Sequence, residues 1–161
     1  IVLKWVNLDL PMENEQEIAD AYTSLFSSKT RLVHITHMIN WTGQILPVKK
    51  IAAEARKNEI EVLVDGAHTF AHLDFKIDDL NCDYFGTSLH KWLCAPFGTG
   101  MLYVKKDKIS ELWPLFAGDE PKSDNIRKFE NIGTRSFPAE MAIAEAINFH
   151  HIIGSNRKQK R

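Results

Sequence analysis

The chain has 161 residues, of which 44% are hydrophobic and 25% charged, and its net charge is −1 at pH 7. These values suit one globular domain with a sizeable core and exclude a disordered chain. The near-zero charge argues against nucleic acid as a partner, and no apolar run reaches the roughly 20 residues that a membrane-spanning helix needs.

The first part of the chain alternates strand and helix signals. Residues 1–6 are apolar and rich in β-formers, which predicts a strand. Asn14 is a favourable N-cap with Glu17 three residues further on, so a helix is predicted from this point through about residue 26. Residues 31–36 are again apolar and predict a second strand.

After that strand, the sequence predicts a loop and a second helix. The loop is centred on Gly43, and Pro47 occupies the position that proline favours at the start of a helix. Apolar residues then recur at the i, i+3, i+4 and i+7 spacing of one helical face. These residues are Val48, Ile51, Ala52 and Ala55.

The remaining elements follow the same alternation. Three further strands are predicted at residues 60–64, 83–87 and 100–104. A polar, irregular stretch covers residues 118–128, and residues 138–153 predict a long helix. Strands separated by helices indicate a three-layer α/β/α fold with a mostly parallel sheet that is covered on both faces.

Polar residues follow the carboxyl ends of three predicted strands, where ligands bind in open α/β sheets. They are Asn40, Asp65 and Lys91. A lysine and an aspartate in these places are what a pyridoxal phosphate (PLP) site requires, because the amine condenses with the cofactor aldehyde and the carboxylate keeps the pyridine nitrogen protonated. Taken singly, Lys91 could be a solvated lysine, Asp65 part of a common Asp-Gly turn and Asn40 a loop residue in a left-handed conformation.

Four segments, in this order and spacing, resemble the class V aminotransferase family. They are residues 36–43 (THMINWTG), 64–68 (VDGAH), 88–91 (SLHK) and 98–104 (GTGMLYV), and residues 129–135 fit the same pattern. This family is the group of fold-type I PLP enzymes that contains cysteine desulfurases, kynureninases and isopenicillin-N epimerase-like proteins. The resemblance covers nearly the whole chain and implies the large domain of that fold.

The resemblance also implies a role for each candidate residue. Lys91 is similar to the lysine that forms the Schiff base with PLP and then shuttles the Cα proton of the substrate. Asp65 is similar to the partner of the pyridinium nitrogen, and Asn40 to the residue that hydrogen-bonds the phenolic oxygen of the cofactor. His68 occupies a position beside that same oxygen, although it could equally be a structural histidine.

The phosphate of the cofactor has its own set of candidate ligands. Ser88 and His90 resemble phosphate ligands of the family, against the alternatives of a strand-end cap and a core histidine. Thr134 resembles the threonine that reaches the phosphate of the neighbouring subunit's cofactor, which implies a homodimer.

The histidines and cysteines do not form the pattern of a metal site. Two histidine pairs have spacings that could chelate zinc, but one histidine falls in a predicted strand and the cysteines lack a Cys-x-x-Cys partner. No metal is therefore expected. The residues considered are His34 with His37, His68 with His72, Cys82 and Cys94.

The basic tail, residues 157–161, has two interpretations. Clustered lysine and arginine can form a nucleic-acid patch. At the end of a helix, however, basic residues more often complement the helix dipole or are simply solvated, and this is the interpretation that we favour.

The resemblance implies that residues 1–161 form the central and C-terminal part of a PLP-binding large domain, with the N-terminal part and the small C-terminal domain absent. The expected activity is a PLP-dependent transformation at Cα of a small amino-acid substrate, similar to that of isopenicillin-N epimerase. The alternatives are a cysteine desulfurase-like enzyme and a non-catalytic fragment that serves as a dimerisation module. We expect the chain alone to turn over poorly, and its low cysteine content indicates a cytoplasmic setting.

Overall fold

The computed structural model describes residues 1–116, 118–131, 133–134 and 137–160. Its regular elements are helices, strands and short 3₁₀ turns in one α/β arrangement. The strands are β1 (Leu32–Thr36), β2 (Glu61–Asp65), β3 (Tyr84–Ser88) and β4 (Gly100–Val104). The helices are α1 (Glu15–Thr23), α2 (Val48–Lys57), α3 (Pro138–Met141), α4 (Ile143–Ile153) and α5 (Ser155–Gln159), and the 3₁₀ turns are Ile77–Leu80, Lys106–Glu111 and Ile126–Glu130.

The four strands form one sheet in the order β1-β2-β3-β4. The first three are parallel, and β4 runs antiparallel to β3. The register places Thr36 opposite Asp65, and Asp65 opposite Gly86, so the carboxyl ends of the three parallel strands meet at one edge. This arrangement confirms the α/β fold with a mostly parallel sheet.

One face of the sheet carries the main hydrophobic core. The apolar face of α2 is buried as its spacing predicts, and it packs with Ile18 and Tyr22 of α1 against the alternate side chains of the parallel strands. Val64 and Phe85 lie at the centre of this cluster and are fully buried. Helix α1 begins at the predicted cap, because the side-chain oxygen of Asn14 accepts hydrogen bonds from two backbone amides of the first turn.

In the described part of the chain, 3₁₀ turns cover the opposite face of the sheet. Tyr84 and Val104 point to this side and pack against Ile109 of one turn and Phe129 of another. Leu32 of β1 lies on this same face, because strand side chains alternate between the two faces, and its side chain is exposed. The covering layer on this side is therefore made of short turns rather than long helices in the described part of the chain.

Three sequence predictions need correction. Residues 1–6 do not form a strand, because they pair with no other strand among the described residues, and most of their side chains are exposed. The predicted helix 138–153 is divided at Ala142 into α3 and α4. Pro47 is the residue before α2 rather than its first helical residue. No helix in the described ranges is long and apolar enough to cross a bilayer.

Candidate active site at the carboxyl edge of the sheet

The chain turns sharply after β2, and this turn carries Asp65 and His68. The Gly66 amide donates to the Gly86 carbonyl oxygen at 2.8 Å, so the turn remains attached to β3. Asp65 Oδ1 accepts the amide of Ala67 at 2.9 Å, as expected for an aspartate that begins a turn. We call residues 65–73 the histidine turn.

Glycine is required at position 66 for a steric reason. The ring of Phe85 lies directly against it, and a Cβ atom there would sit 1.8 Å from the Phe85 Cζ. The absence of a side chain lets the buried ring fill the space beneath the histidine turn. Gly66 thereby links the core to the turn that carries the candidate residues.

A second turn follows β3 and carries Lys91. The Leu89 amide donates to Thr99, and the Ala95 amide donates back to the Leu89 carbonyl oxygen, so the segment closes on itself. Inside it, the Lys91 amide donates to the Ser88 carbonyl oxygen at 3.4 Å. Cys94 adopts a left-handed backbone with φ +63°, which reverses the chain. We call residues 88–95 the lysine turn.

The two turns bring Lys91 and His68 into direct contact. Lys91 Nζ lies 2.9 Å from His68 Nε2. A lysine ammonium can only donate, so the ring nitrogen accepts and His68 carries its proton on Nδ1. Burial lowers the pKa of His68, and the neighbouring Lys91 and His72 charges lower it further, whereas Asp65 opposes the shift. A neutral His68 is the form that accepts this hydrogen bond.

A ring stack joins the same two turns a few residues away. His72 of the histidine turn stacks on Trp92 of the lysine turn, with ring centroids 3.6 Å apart and planes inclined by 7°. His72 Nδ1 donates to the His68 carbonyl oxygen at 3.0 Å, since a carbonyl can only accept. Sequence reasoning considered His72 only as half of a possible metal pair and assigned no partner to it or to Trp92. It missed their stacking, because only the fold brings the two residues together.

The other predicted residues lie around this centre in different ways. Ser88 ends β3 at the start of the lysine turn, and His90 Nδ1 is buried and has no hydrogen-bond partner in the described part of the chain. Asn40 is exposed in the loop between β1 and α2, and Thr134 is exposed ahead of α3. Among the described residues, no hydrogen bond joins the side chain of either residue to the Lys91–His68 pair.

His37 is a buried residue that sequence reasoning weighed only as a possible metal ligand. It is 7% exposed, and its Nδ1 lies 3.0 Å from the hydroxyl of the fully buried Thr69. The edge of its ring meets Phe75 at a centroid distance of 5.0 Å. His37 therefore connects the end of β1 to the histidine turn, whereas His34 is exposed on β1. No group of three or more residues suited to a metal ion occurs in the described ranges.

The burial of His37 predicts a loss of stability in acid. Burial lowers its pKa to about 4, against the ordinary value of 6.5. The folded protein therefore holds the neutral form, and protons bind preferentially to the unfolded chain between these two values. We expect the His37 contribution to be complete above pH 6.5 and to fall by about 3 kcal/mol as the pH approaches 4.

Urea unfolding at a series of pH values checks this prediction. His37→Gln should flatten the dependence of the unfolding free energy on pH between 6.5 and 4. His34→Gln is the matched control, since it removes an exposed histidine from the neighbouring strand and should leave the dependence unchanged. Parallel pH profiles for the wild type and His37→Gln would contradict the assignment.

Comparison with known proteins places this arrangement in a class. One solved structure is a complex of the cystine C-S lyase C-DES with its reaction product cysteine persulfide, which matches with a TM-score of 0.75 and 28% identity over 89% of this chain and 41% of that one. Another is a C-DES mutant with glycine covalently linked to the PLP cofactor, with a TM-score of 0.77 and 26% identity over 88% of this chain and 41% of that one. The fold is that of the fold-type I PLP-dependent enzymes.

The sequence comparisons name the family within this class. Residues 4–161 match the family model described as Aminotransferase class-V, and the chain belongs to the class V aminotransferase family. Isopenicillin N epimerase of Amycolatopsis lactamdurans is 31% identical over 166 residues, covering 94% of this chain and 42% of the epimerase. A probable cysteine desulfurase of Synechocystis sp. is 34% identical over 151 residues, covering 91% of this chain and 34% of that protein. The chain thus spans about two fifths or less of the length of these relatives.

Proposed function

We propose that this chain carries the lysine-centred part of a PLP site in an enzyme that transforms an amino acid at Cα. The observation that carries the proposal is the 2.9 Å contact between Lys91 Nζ and His68 Nε2, at the edge of the sheet where Asp65 ends β2. Ligands bind at this edge in open α/β sheets. Membership of a family of PLP enzymes supports the cofactor assignment.

The donor set suits the cofactor at its ring end. Lys91 is a primary amine that can condense with an aldehyde and release water, and the contact to His68 directs its Nζ. Asp65 is a carboxylate held in a turn by the amide of Ala67, and it would pair with the pyridine nitrogen. Asn40 would hydrogen-bond the phenolic oxygen, beside His68.

The lysine turn suits the phosphate end of the cofactor. His90 has a buried Nδ1 that has no partner in the described residues, which is expected of a polar atom that a ligand satisfies. Ser88 lies three residues before Lys91 and offers a hydroxyl group. Thr134 would act on the phosphate of a partner subunit's cofactor, so we propose a homodimer.

The chemistry is divided between the cofactor and this chain. When PLP is bound, its ring accepts electrons from the substrate Cα–H bond. Lys91 Nζ would accept and return the Cα proton as the general acid and base. His68, held neutral with its Nε2 facing Nζ, would orient that amine through the proton transfers. Asp65 would hold the positive charge on the ring nitrogen.

The reaction that we favour is an epimerisation, and a cysteine desulfurase-like reaction is the second candidate. The epimerase of A. lactamdurans matches over 94% of this chain, and a second epimerase, of Streptomyces clavuligerus, is 32% identical over 86% of it. Desulfurase relatives and the C-DES structures keep the second reaction open. The two cysteines do not decide between the reactions, because burial raises the pKa of the Cys82 thiol to about 11 whereas Cys94 is exposed.

We further propose that residues 1–161 correspond to the central and C-terminal part of the PLP-binding large domain, and that the protein works in the cytoplasm. The share of each relative that is covered supports the first statement. The free thiols of Cys82 and Cys94 fit the second.

The experiment that tests the proposed function is covalent capture of PLP. The purified chain is mixed with PLP, its visible spectrum is recorded, borohydride is added, and the labelled peptide is identified by mass spectrometry. We expect a visible band and a single reduced adduct on Lys91. Adducts spread over the exposed lysines, with Lys91 unlabelled, would contradict the proposal and favour a non-catalytic role.

A second measurement separates the two reactions. Candidate amino acids are incubated in D₂O with the PLP-loaded protein. Deuterium at Cα of a recovered amino acid whose configuration at Cα is inverted indicates epimerisation. Release of sulfide or persulfide from cysteine indicates the desulfurase-like alternative.

A further inference from the structure

Lys158 of α5 reaches across to both turns of the candidate site. Its Nζ donates to the Ala71 carbonyl oxygen at 3.2 Å and to the Trp92 carbonyl oxygen at 2.7 Å, over sequence separations of 87 and 66 residues. The sequence interpretation of the basic tail as solvated or dipole-complementing is therefore wrong for this lysine. Lys158 is partly buried, whereas Arg157 beside it is exposed.

The two carbonyl groups belong to the segments that hold the reactive pair. Ala71 lies in the histidine turn, three residues after His68, and Trp92 directly follows Lys91. Lys158 therefore joins the same two turns as the Lys91–His68 hydrogen bond and the His72–Trp92 ring stack. These three contacts form one cross-turn cluster.

The neighbouring helix fixes α5 against these turns. Ala146 of α4 is buried with Leu89, Leu93 and Ala95 of the lysine turn, and Ala71 packs at the edge of the same cluster. The helices α4 and α5 therefore hold the ammonium group of Lys158 next to the histidine turn and the lysine turn. Hydrogen bonds from a charged donor are about twice as strong as neutral ones, so one side chain can restrain both loops.

We propose that Lys158 is a positioning residue that holds the histidine turn and the lysine turn together, and so keeps Lys91 Nζ within hydrogen-bond distance of His68. Lys158 acts through these carbonyl groups and touches neither Lys91 Nζ nor the His68 ring in the described contacts. The functional meaning of this restraint rests on the proposed PLP site, but the restraint itself is a property of the chain without cofactor.

The test measures His68 directly. The histidine pKa values of the chain are determined by NMR, without PLP, for the wild type, Lys158→Met and Lys158→Arg. With the bridge lost, Lys91 moves away from the ring, and the proton affinity of His68 should rise about threefold in Lys158→Met. Lys158→Arg keeps the charge and the donors, so it should restore most of the wild-type value.

Two controls separate positioning from charge and from general stability. Lys160→Met removes the same charge near the end of α5 and should leave His68 unchanged. In a Lys91→Met background, Lys158→Met should no longer alter His68, because the effect passes through Lys91. Thermal unfolding of each variant shows whether the chain is folded. If Lys158→Met is not folded, Lys158→Gln is used in its place.

Capture of PLP gives an independent measurement. The amount of PLP captured on Lys91 under the same conditions should fall about threefold in Lys158→Met, corresponding to about 0.7 kcal/mol. An unchanged His68 pKa in folded Lys158→Met or Lys158→Gln, or an equal change in the Lys91→Met background, would overturn the positioning role. Failure of the wild type to capture PLP at Lys91 would instead overturn the proposed function. The NMR result would still test the positioning role, because it is measured without PLP.

Discussion

Replacing Lys91 with alanine is expected to abolish covalent capture of PLP by this chain. The amine is the group that condenses with the aldehyde, and Lys91 Nζ lies 2.9 Å from His68 Nε2 at the carboxyl edge of the sheet. The visible band and the borohydride-fixed adduct should fall below detection. The measurement is the capture experiment repeated on the variant, with the adduct quantified by mass spectrometry.

Two further variants identify the cause of that loss. Lys106→Ala removes an exposed lysine from the 3₁₀ turn Lys106–Glu111 and should leave capture at the wild-type level. Lys91→Arg keeps a cation opposite His68 but cannot condense with an aldehyde, so it should lose the adduct while retaining the low pKa of His68. Full labelling of Lys91→Ala at another lysine would contradict the assignment.

Gly66→Ala is expected to cause the largest loss of stability among single-methyl additions in this region. The new Cβ would stand 1.8 Å from Phe85 Cζ, far inside van der Waals contact. The ring is fully buried and also contacts Phe70 and Phe75, so it cannot move away without disturbing the core. We expect a loss of about 3 kcal/mol or more in the free energy of unfolding, measured in urea.

A neighbouring glycine provides the matched control for this substitution. Gly86 lies in β3 opposite Asp65, and a Cβ there would meet no atom within 4 Å. Gly86→Ala should therefore change the free energy of unfolding by only about 1 kcal/mol or less. Phe85→Leu replaces the obstructing ring with a smaller side chain. The double variant Gly66→Ala/Phe85→Leu should therefore lose less free energy of unfolding than the sum of the losses of the two single variants. Strict additivity would show that the ring contact is not the cause.

The position of His68 explains why the candidate site acts as a unit. Its side chain meets Lys91, its carbonyl oxygen accepts from His72, and its turn begins at Asp65. Substitution at any of these contacts changes the surroundings of the same imidazole. The pKa of His68 is therefore a useful single measure of the integrity of the whole edge of the sheet.

Much of this architecture was determined by local patterns in the sequence. The apolar spacing of α2 and the cap at Asn14 predicted two helices, since helical periodicity and capping act within a few residues. The strands β1 to β4 were predicted within about one residue at each end. The motifs around Asp65 and Lys91 also indicated the family, because several segments agreed in order and spacing.

Other features depended on contacts between distant segments and could not be derived from local patterns. An apolar pattern at residues 1–6 predicts a strand, but a strand needs a partner for its backbone hydrogen bonds, and those residues pair with none in the described chain. Three contacts show this. Lys91 and His68 are 23 positions apart, and His37 and Thr69 are 32 positions apart. Lys158 and Ala71 are 87 positions apart. The sequence thus determined which residue types are present at the carboxyl edge. The tertiary structure decided which of them meet, because the strand register and the packing of the turns bring together residues that are distant in the sequence.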